Sequence, residues 1–122
     1  MTESRLSITE REIGEVTVLT LTGQMLVDDG DLQLGRYVGD LIRRGRARIV
    51  LDLGNVTYID SSGVGMMAAK LKTARQNGGD IRLLHLTSRS QRLFGMLKLA
   101  TAFERFDDEA AAVRSFTYRP GP

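Results

Sequence analysis

Leu6 and Ile8, then Val16, Val18, Leu19 and Leu21, lie in two β-favouring runs separated by the turn-prone pair Gly14-Glu15. The chain is therefore expected to open with an N-terminal hairpin or strand pair. Gly23 stops the second run, and a polar loop carrying Asp28, Asp29, Gly30 and Asp31 prepares a helix start. Leu34, Val38, Leu41 and Ile42 then recur at helical spacing and predict a first amphipathic helix from about Asp31 to Arg44. Its internal Gly35 and Gly39 each cost about 1 kcal/mol relative to Ala; close packing against a sheet would explain them.

The run from Arg48 to Leu53 is almost continuously apolar, as expected of a central strand covered on both faces, and Gly54 ends it. Val64, Met67, Ala68 and Leu71 form a second helical stripe, closed by the stop signal Asn77-Gly78-Gly79. Ile81 to Leu86 reads as the next strand. Ser88-Arg-Ser-Gln91 has the spacing of a capping box, with Leu93, Phe94 and Leu97 behind it as an inward face. Phe103 to Phe106 forms a short last strand, and Asp107-Asp-Glu before Ala110, Val113 and Phe116 opens a final helix whose acids suit its dipole. The resulting order is β-β-α-β-α-β-α-β-α. Helical crossovers from the middle onward make much of the sheet parallel, and with no internal repeat or linker the chain reads as one α/β domain over residues 1–117, followed by a frayed tail, 118–122.

Composition narrows the chemistry more than the fold. The 122 residues include 17 Lys+Arg and 15 Asp+Glu, for a net charge of +2, with 42% hydrophobic and 26% charged residues, ordinary globular usage. The absence of Cys, with a single His, excludes cysteine nucleophiles and thiolate or histidine-rich metal sites; no metal and no cofactor are expected. The one basic cluster, Arg43, Arg44, Arg46 and Arg48, contains no aromatic residue. At a helix end it reads as solvated charge complementing the dipole, so no direct nucleic-acid binding is expected. No run approaches the roughly 20 apolar residues of a membrane span, and the N-terminus lacks a signal-peptide stretch. The expected location is the cytoplasm, with no membrane contact.

The distinctive segment is Asn55 to Gly65, between the central strand and the second helix. Val56, Tyr58 and Ile59 can anchor it to the core, leaving Asp60, Ser61 and Ser62 beyond the last bulky apolar residue. One of these three suffices as a helix N-cap, and three in a row before Gly63-x-Gly65 exceed that need. The two glycines leave backbone bare for another protein to approach. No Lys-Ser/Thr follows them, so the P-loop pattern fails. A serine hydrolase is also rejected, because the Gly-x-Ser-x-Gly elbow is absent and His85, inside an apolar strand, reads as a core or edge residue. Asn55-Val-Thr57 matches a glycosylation sequon without a secreted context. Met66-Met67 reads as one exposed and one core methionine.

Asp60-Ser-Ser-Gly-Val-Gly65 after an apolar strand, then Asn77-Gly-Gly, then Ser90-Gln-Arg-Leu-Phe94 before Phe103-x-x-Phe106, resembles the bacterial anti-sigma factor antagonists, or STAS domains. The similarity runs from about Leu6 to Phe116. It implies a single STAS-like domain, a mixed sheet of about four to five strands with about four helices mainly on one side. It also implies a non-enzymatic, partner-switching phosphoprotein in transcription regulation. The family's phosphorylated serine falls on Ser61, and its partner interface on Asp60, Ser62, Gly63, Val64, Gly65 and Met66. The implied partners are an anti-sigma factor that is also a GHKL-type ATPase and serine kinase, and a PP2C-type serine phosphatase; a monomer or weak dimer is expected. The same family likeness allows an alternative, a docking subunit of a transporter or larger signalling assembly. Many members carry Gly-Glu-Leu-Asp after the second strand. Here Gly23-Gln24-Met25-Leu26 lacks both acids, with Asp28, Asp29 and Asp31 supplying charge nearby.

Overall fold

The computed structural model describes residues 6–25, 30–99 and 101–117. Strands β1 (Leu6–Ile13) and β2 (Val16–Met25) are followed by α1 (Gly30–Arg43), β3 (Arg48–Ile59), α2 (Ser61–Gln76), β4 (Asp80–Leu84), α3 (Ser88–Met96), β5 (Arg105–Phe106) and α4 (Glu109–Thr117). The strands form one 5-stranded sheet in the order β1-β2-β3-β4-β5. β1 and β2 pair antiparallel, and the remaining neighbours pair parallel. The mixed α/β architecture expected from the sequence is the one observed. The loop acids Asp28 and Asp29, with Leu26, and the tail from Tyr118 to Pro122 lie outside the described residues.

Side-chain alternation sorts the core into two layers. Leu19, Leu21, Ile49, Leu51, Ile81 and Leu83 point to the face covered by α1, α2 and α3, where they meet Leu34, Val38, Val64, Met67 and Phe94. Val16, Val18, Val50 and Leu84 point the other way, to Ala112, Val113 and Phe116 of α4. The helices thus lie mainly on one side of the sheet. Phe103 precedes β5 and joins the larger layer, its ring edge-on to Phe94 with centroids 5.6 Å apart.

Two strands outrun their sequence boundaries. β2 continues past Gly23 and β3 past Gly54, because β3 carries an extra residue opposite β2 at two places, between Thr20/Thr22 and between Gly23/Gln24. The bulge at Gly54 is held by its N–H, which donates to Asp52 Oδ1 at 3.0 Å. The segment from Asn55 to Ile59, read as loop, is therefore strand. Apolar continuity cannot reveal such bulges, since each one resets which residues face inward.

Other expectations are also revised. β4 ends at Leu84, and His85 sits just beyond it, exposed, at φ 61°, with Nδ1 3.0 Å from Asp52 Oδ1. It is neither a core residue nor a strand residue. Gly35 and Gly39 face α2 and not the sheet: an added Cβ would lie 3.2 Å from Met66 Cγ and 3.3 Å from Lys70 Nζ, respectively. The cap of α3 is Thr87, whose Oγ1 accepts the Ser90 N–H at 3.1 Å, in place of the Ser88 expected from the Ser88–Gln91 spacing. Leu97 is 38% exposed and does not join the inward face. In the basic cluster, Arg43 pairs with Asp40 and Arg48 with Glu15, while Arg46 Nε donates to Thr17 Oγ1 at 3.0 Å. Arg46 and Arg48 thus tie the start of β3 to the first hairpin, a role beyond complementing the α1 dipole.

The Asn77-Gly-Gly signal works as expected. Gly78, at φ 81°, ends α2 in the left-handed region; its N–H donates to the Arg75 carbonyl, and the Gly79 N–H donates to Ala74. Gly79 also lies against Ala47, where a Cβ would fall 2.1 Å from the carbonyl oxygen. Stopping α2 here lets Asp80 enter β4 beside Arg48.

Candidate functional site

The carboxyl end of β3 delivers its last residues to the start of α2. Val56 and Ile59 are buried at 6% and 5% exposure, so two of the three expected anchors hold the segment. Tyr58 is 41% exposed and presents its ring at the surface, since the bulge at Thr57 turns it out of the inward alternation. Asp60 is the N-cap of α2: its backbone is extended, and Oδ1 accepts the Gly63 N–H at 3.0 Å and the Ser62 hydroxyl at 2.7 Å. Its carbonyl accepts the Val64 N–H at 3.2 Å. Capping therefore rests on Asp60, and Ser62 assists by donating to it.

Ser61 occupies the first helical position and is exposed. The first N–H groups of a helix have no acceptor within it and carry the positive end of the dipole, so the surroundings favour an anion. No charged residue lies between Asp60 and Lys70. Along the chain Ser61 follows one carboxylate, at the cap, and precedes uncharged positions as far as Lys70.

The predicted interface residues divide by burial. Ser61 and Gly65 are exposed, and Asp60, Ser62 and Met66 are half-buried. Gly63 and Val64 are buried. Gly63 is pressed against the protein's own core, since a Cβ there would lie 3.0 Å from Met25 Sδ and 3.1 Å from Ile59 Cγ1. Of the two glycines Gly63 and Gly65, it is Gly65, with nothing within 4 Å of an added Cβ, that leaves bare backbone open to a partner. Met66 packs partly against the core and is not the freely exposed methionine of the pair.

Two exposed apolar side chains near this surface escaped sequence reasoning. Leu32, 48% exposed, lies in the first turn of α1, and Tyr58, 41% exposed, is the penultimate residue of β3. Leu32 falls off the Leu34-Val38-Leu41 stripe, a signal available in the sequence, whereas the exposure of Tyr58 depends on the bulges. Among the described residues no group of three or more His, Cys, Asp or Glu side chains could hold a metal ion, and no helix is long and apolar enough to cross a membrane.

The family model described as "Mlab, STAS domain" matches residues 8–105. An anti-sigma F factor antagonist from Paenibacillus polymyxa is 28% identical over 98 residues, covering 80% of this chain and 84% of that protein. Among solved structures, an anti-sigma factor antagonist from Mycobacterium paratuberculosis superposes with a TM-score of 0.82 at 15% identity, covering 96% and 98% of the two chains. The phosphorylated form of the Bacillus cell fate determinant SpoIIAA gives 0.71 at 19% identity, covering 89% and 98%. Part of the murine anion transporter Slc26a9 gives 0.67 at 17% identity, covering 88% of this chain and 18% of the transporter. These likenesses at low identity show the shared fold, and the family match spans most of the chain: the protein belongs to the STAS domain family.

Proposed function

We propose that the chain is an anti-sigma factor antagonist that binds an anti-sigma factor through the surface around Ser61, without catalysis of its own, and that phosphorylation of Ser61 ends the complex. The observation that carries this reading is the exposed Ser61 at the first position of α2, beside a cap that engages Ser62 and leaves the Ser61 side chain outside. The relative from Paenibacillus polymyxa supports the general role.

The chemistry belongs to a partner kinase, an anti-sigma factor of the GHKL ATPase type. Ser61 Oγ attacks the γ-phosphorus of ATP, the bond to ADP breaks, and the hydroxyl proton passes to a base on the kinase. A PP2C-type phosphatase hydrolyses the ester and restores the serine. The phosphate brings about −1.5 to −2 charges beside the Asp60 carboxylate. In the free protein the α2 N-terminus accommodates it. At a closed interface over Gly65 and Met66 the same group adds bulk, desolvation cost and repulsion, which releases the anti-sigma factor to hold its sigma factor again.

The deciding experiment incubates the full chain with purified anti-sigma factor kinase and ATP, maps the phosphosite, and measures binding before and after. Label on Ser61 with loss of binding is expected. Label on Ser62 alone, or binding unchanged by label on Ser61, overturns the switch. The likeness to part of an anion transporter supports a second reading, an unmodified docking module; stable association with a transporter or its ATPase subunit, and none with a kinase, would select it.

A further inference from the structure

A trough of about 300 Å³ runs between α1 and α2. Gly35 and Gly39, four residues apart on α1, form its floor. Neither has a positive φ. A Cβ at Gly35 would meet the flexible Met66 side chain at 3.2 Å, and one at Gly39 the far end of Lys70 at 3.3 Å. No turn and no backbone contact demands glycine here, and glycine disfavours a helix relative to alanine. Both glycines are buried, so their missing side chains let Met66 and Lys70 of α2 lie over α1, and the channel opens beside those two side chains.

Its walls are of two kinds. Leu32 and Met66 supply apolar surface, and Arg36, Arg43 and Lys70 supply positive charge. Among the described residues no carboxylate lines the channel; Asp40 lies beside it, paired with Arg43. Met66 stands one turn beyond Ser62 on the same side of α2, so the channel continues the surface around Ser61.

We infer that this channel docks an acidic, amphipathic helical segment of a protein partner. An aliphatic side chain of that segment lies between Leu32 and Met66, and flanking carboxylates meet Arg36, Arg43 and Lys70. The inference rests on reading the Ser61 surface as a protein interface and extends that interface along α1. A recessed channel with no aromatic lining suits a protruding side chain, whereas single-stranded nucleic acid is held by stacking platforms and an anionic bilayer by an amphipathic face laid against it.

The test uses the full chain, isotope-labelled for NMR. The probes are a synthetic amphipathic peptide with leucines along one face and glutamates flanking them, and its counterpart with lysine for each glutamate. The acidic peptide should give saturable shifts at the amides of Gly35, Gly39, Met66 and Lys70. Affinity should fall about tenfold or more in the double variant Arg36→Glu, Lys70→Glu and in Gly39→Leu, which fills the channel, each first confirmed to be folded by its spectrum. Absence of saturable shifts at millimolar peptide, shifts centred elsewhere, or an equal response to the lysine peptide overturns the inference. Tighter binding of phosphatidylglycerol vesicles or a short RNA at the same amides overturns the choice of a protein segment.

A parallel arm measures purified anti-sigma factor against Ser61→Asp and against the double variant. Loss with Ser61→Asp alone overturns the channel and leaves the Ser61 reading standing. No binding by the wild-type chain, with the peptide response intact, does the reverse.

Discussion

Helices α2 and α3 start with the same device and end with different surfaces. Each follows a parallel strand, and each is capped by a side chain, Asp60 or Thr87, that accepts the N–H three residues on, at 3.0 and 3.1 Å. Each then places an exposed serine, Ser61 or Ser88, at its first helical position. From there they diverge. α2 carries no charge before Lys70, whereas α3 sets Arg89 and Arg92 among its first five residues. Ser90, the third helical residue of α3, is buried at 2% exposure, while its counterpart in α2 is Gly63, pressed against Met25. A capped helix start with a free serine is therefore an ordinary structural feature. What sets Ser61 apart is the uncharged stretch of helix that follows it, where an added charge meets no nearby arginine on its own helix.

The largest expected effect follows from that difference. Full phosphorylation of Ser61 should move anti-sigma factor binding from mostly bound to mostly free, a change of about 10⁴-fold or about 5.5 kcal/mol. Ser61→Asp, with fewer oxygens and less charge, should lose about tenfold or more. Ser88→Asp should leave affinity unchanged by calorimetry. Equal losses from the two aspartates would show that the shared capping device, and not the surface beyond it, governs the interface.

A second contrast separates the two glycines of α2. Gly63→Ala drives a Cβ against Met25 Sδ and Ile59 Cγ1, at 3.0 and 3.1 Å, and should destabilise by about 1–3 kcal/mol. Gly65→Ala meets nothing within 4 Å and should stabilise the free protein by up to about 1 kcal/mol through helix propensity, while weakening partner binding. Urea unfolding of both variants measures the pair; similar destabilisation in both would assign Gly65 to the core as well.

This contrast also shows where the sequence was legible. The order of elements followed from apolar periodicity and from Asn77-Gly-Gly, and the hydroxyl-rich tip stood out because three polar residues exceed one cap. Gly63 and Gly65 look equivalent in sequence, however, and only the packing of Met25 and Ile59 distinguishes them. The same limit hid the length of β3: Gly54 looks like a terminator until Asp52 is seen holding its N–H across a bulge. Likewise, Gly35 and Gly39 signalled close packing without revealing that the neighbour is α2.

The caps themselves provide a smaller comparison. Asp60→Ala and Thr87→Ala should each cost about 1 kcal/mol of stability, since each removes a cap and a hydroxyl contact, to Ser62 in one case and to buried Ser90 in the other. Ser62→Ala removes a donor and no cap, and should cost only about 0.5 kcal/mol. If Ser62→Ala matched Asp60→Ala in thermal or urea unfolding, capping would have to be shared between the two side chains.

The smallest effect comes from a contact that belongs to neither helix start and so tests whether the contrast between them is local. Tyr37 on α1 donates its hydroxyl to the Glu10 carboxylate on β1, and this bond, aided by burial, pushes the phenol from its ordinary 10.0 up to about 12. A folded pKa raised above the unfolded one means that the contribution is fully present below pH 10 and is lost as pH climbs through about 12. Tyr37→Phe should cost about 0.5 kcal/mol at neutral pH and should flatten that part of the alkaline loss, read as the difference between the two proteins' urea midpoints across the window. Parallel midpoints would remove the linkage. In the same variant Ser61→Asp and Ser88→Asp should differ in partner affinity as they do in the wild type, because the β1–α1 contact anchors the scaffold and does not shape the surface of α2.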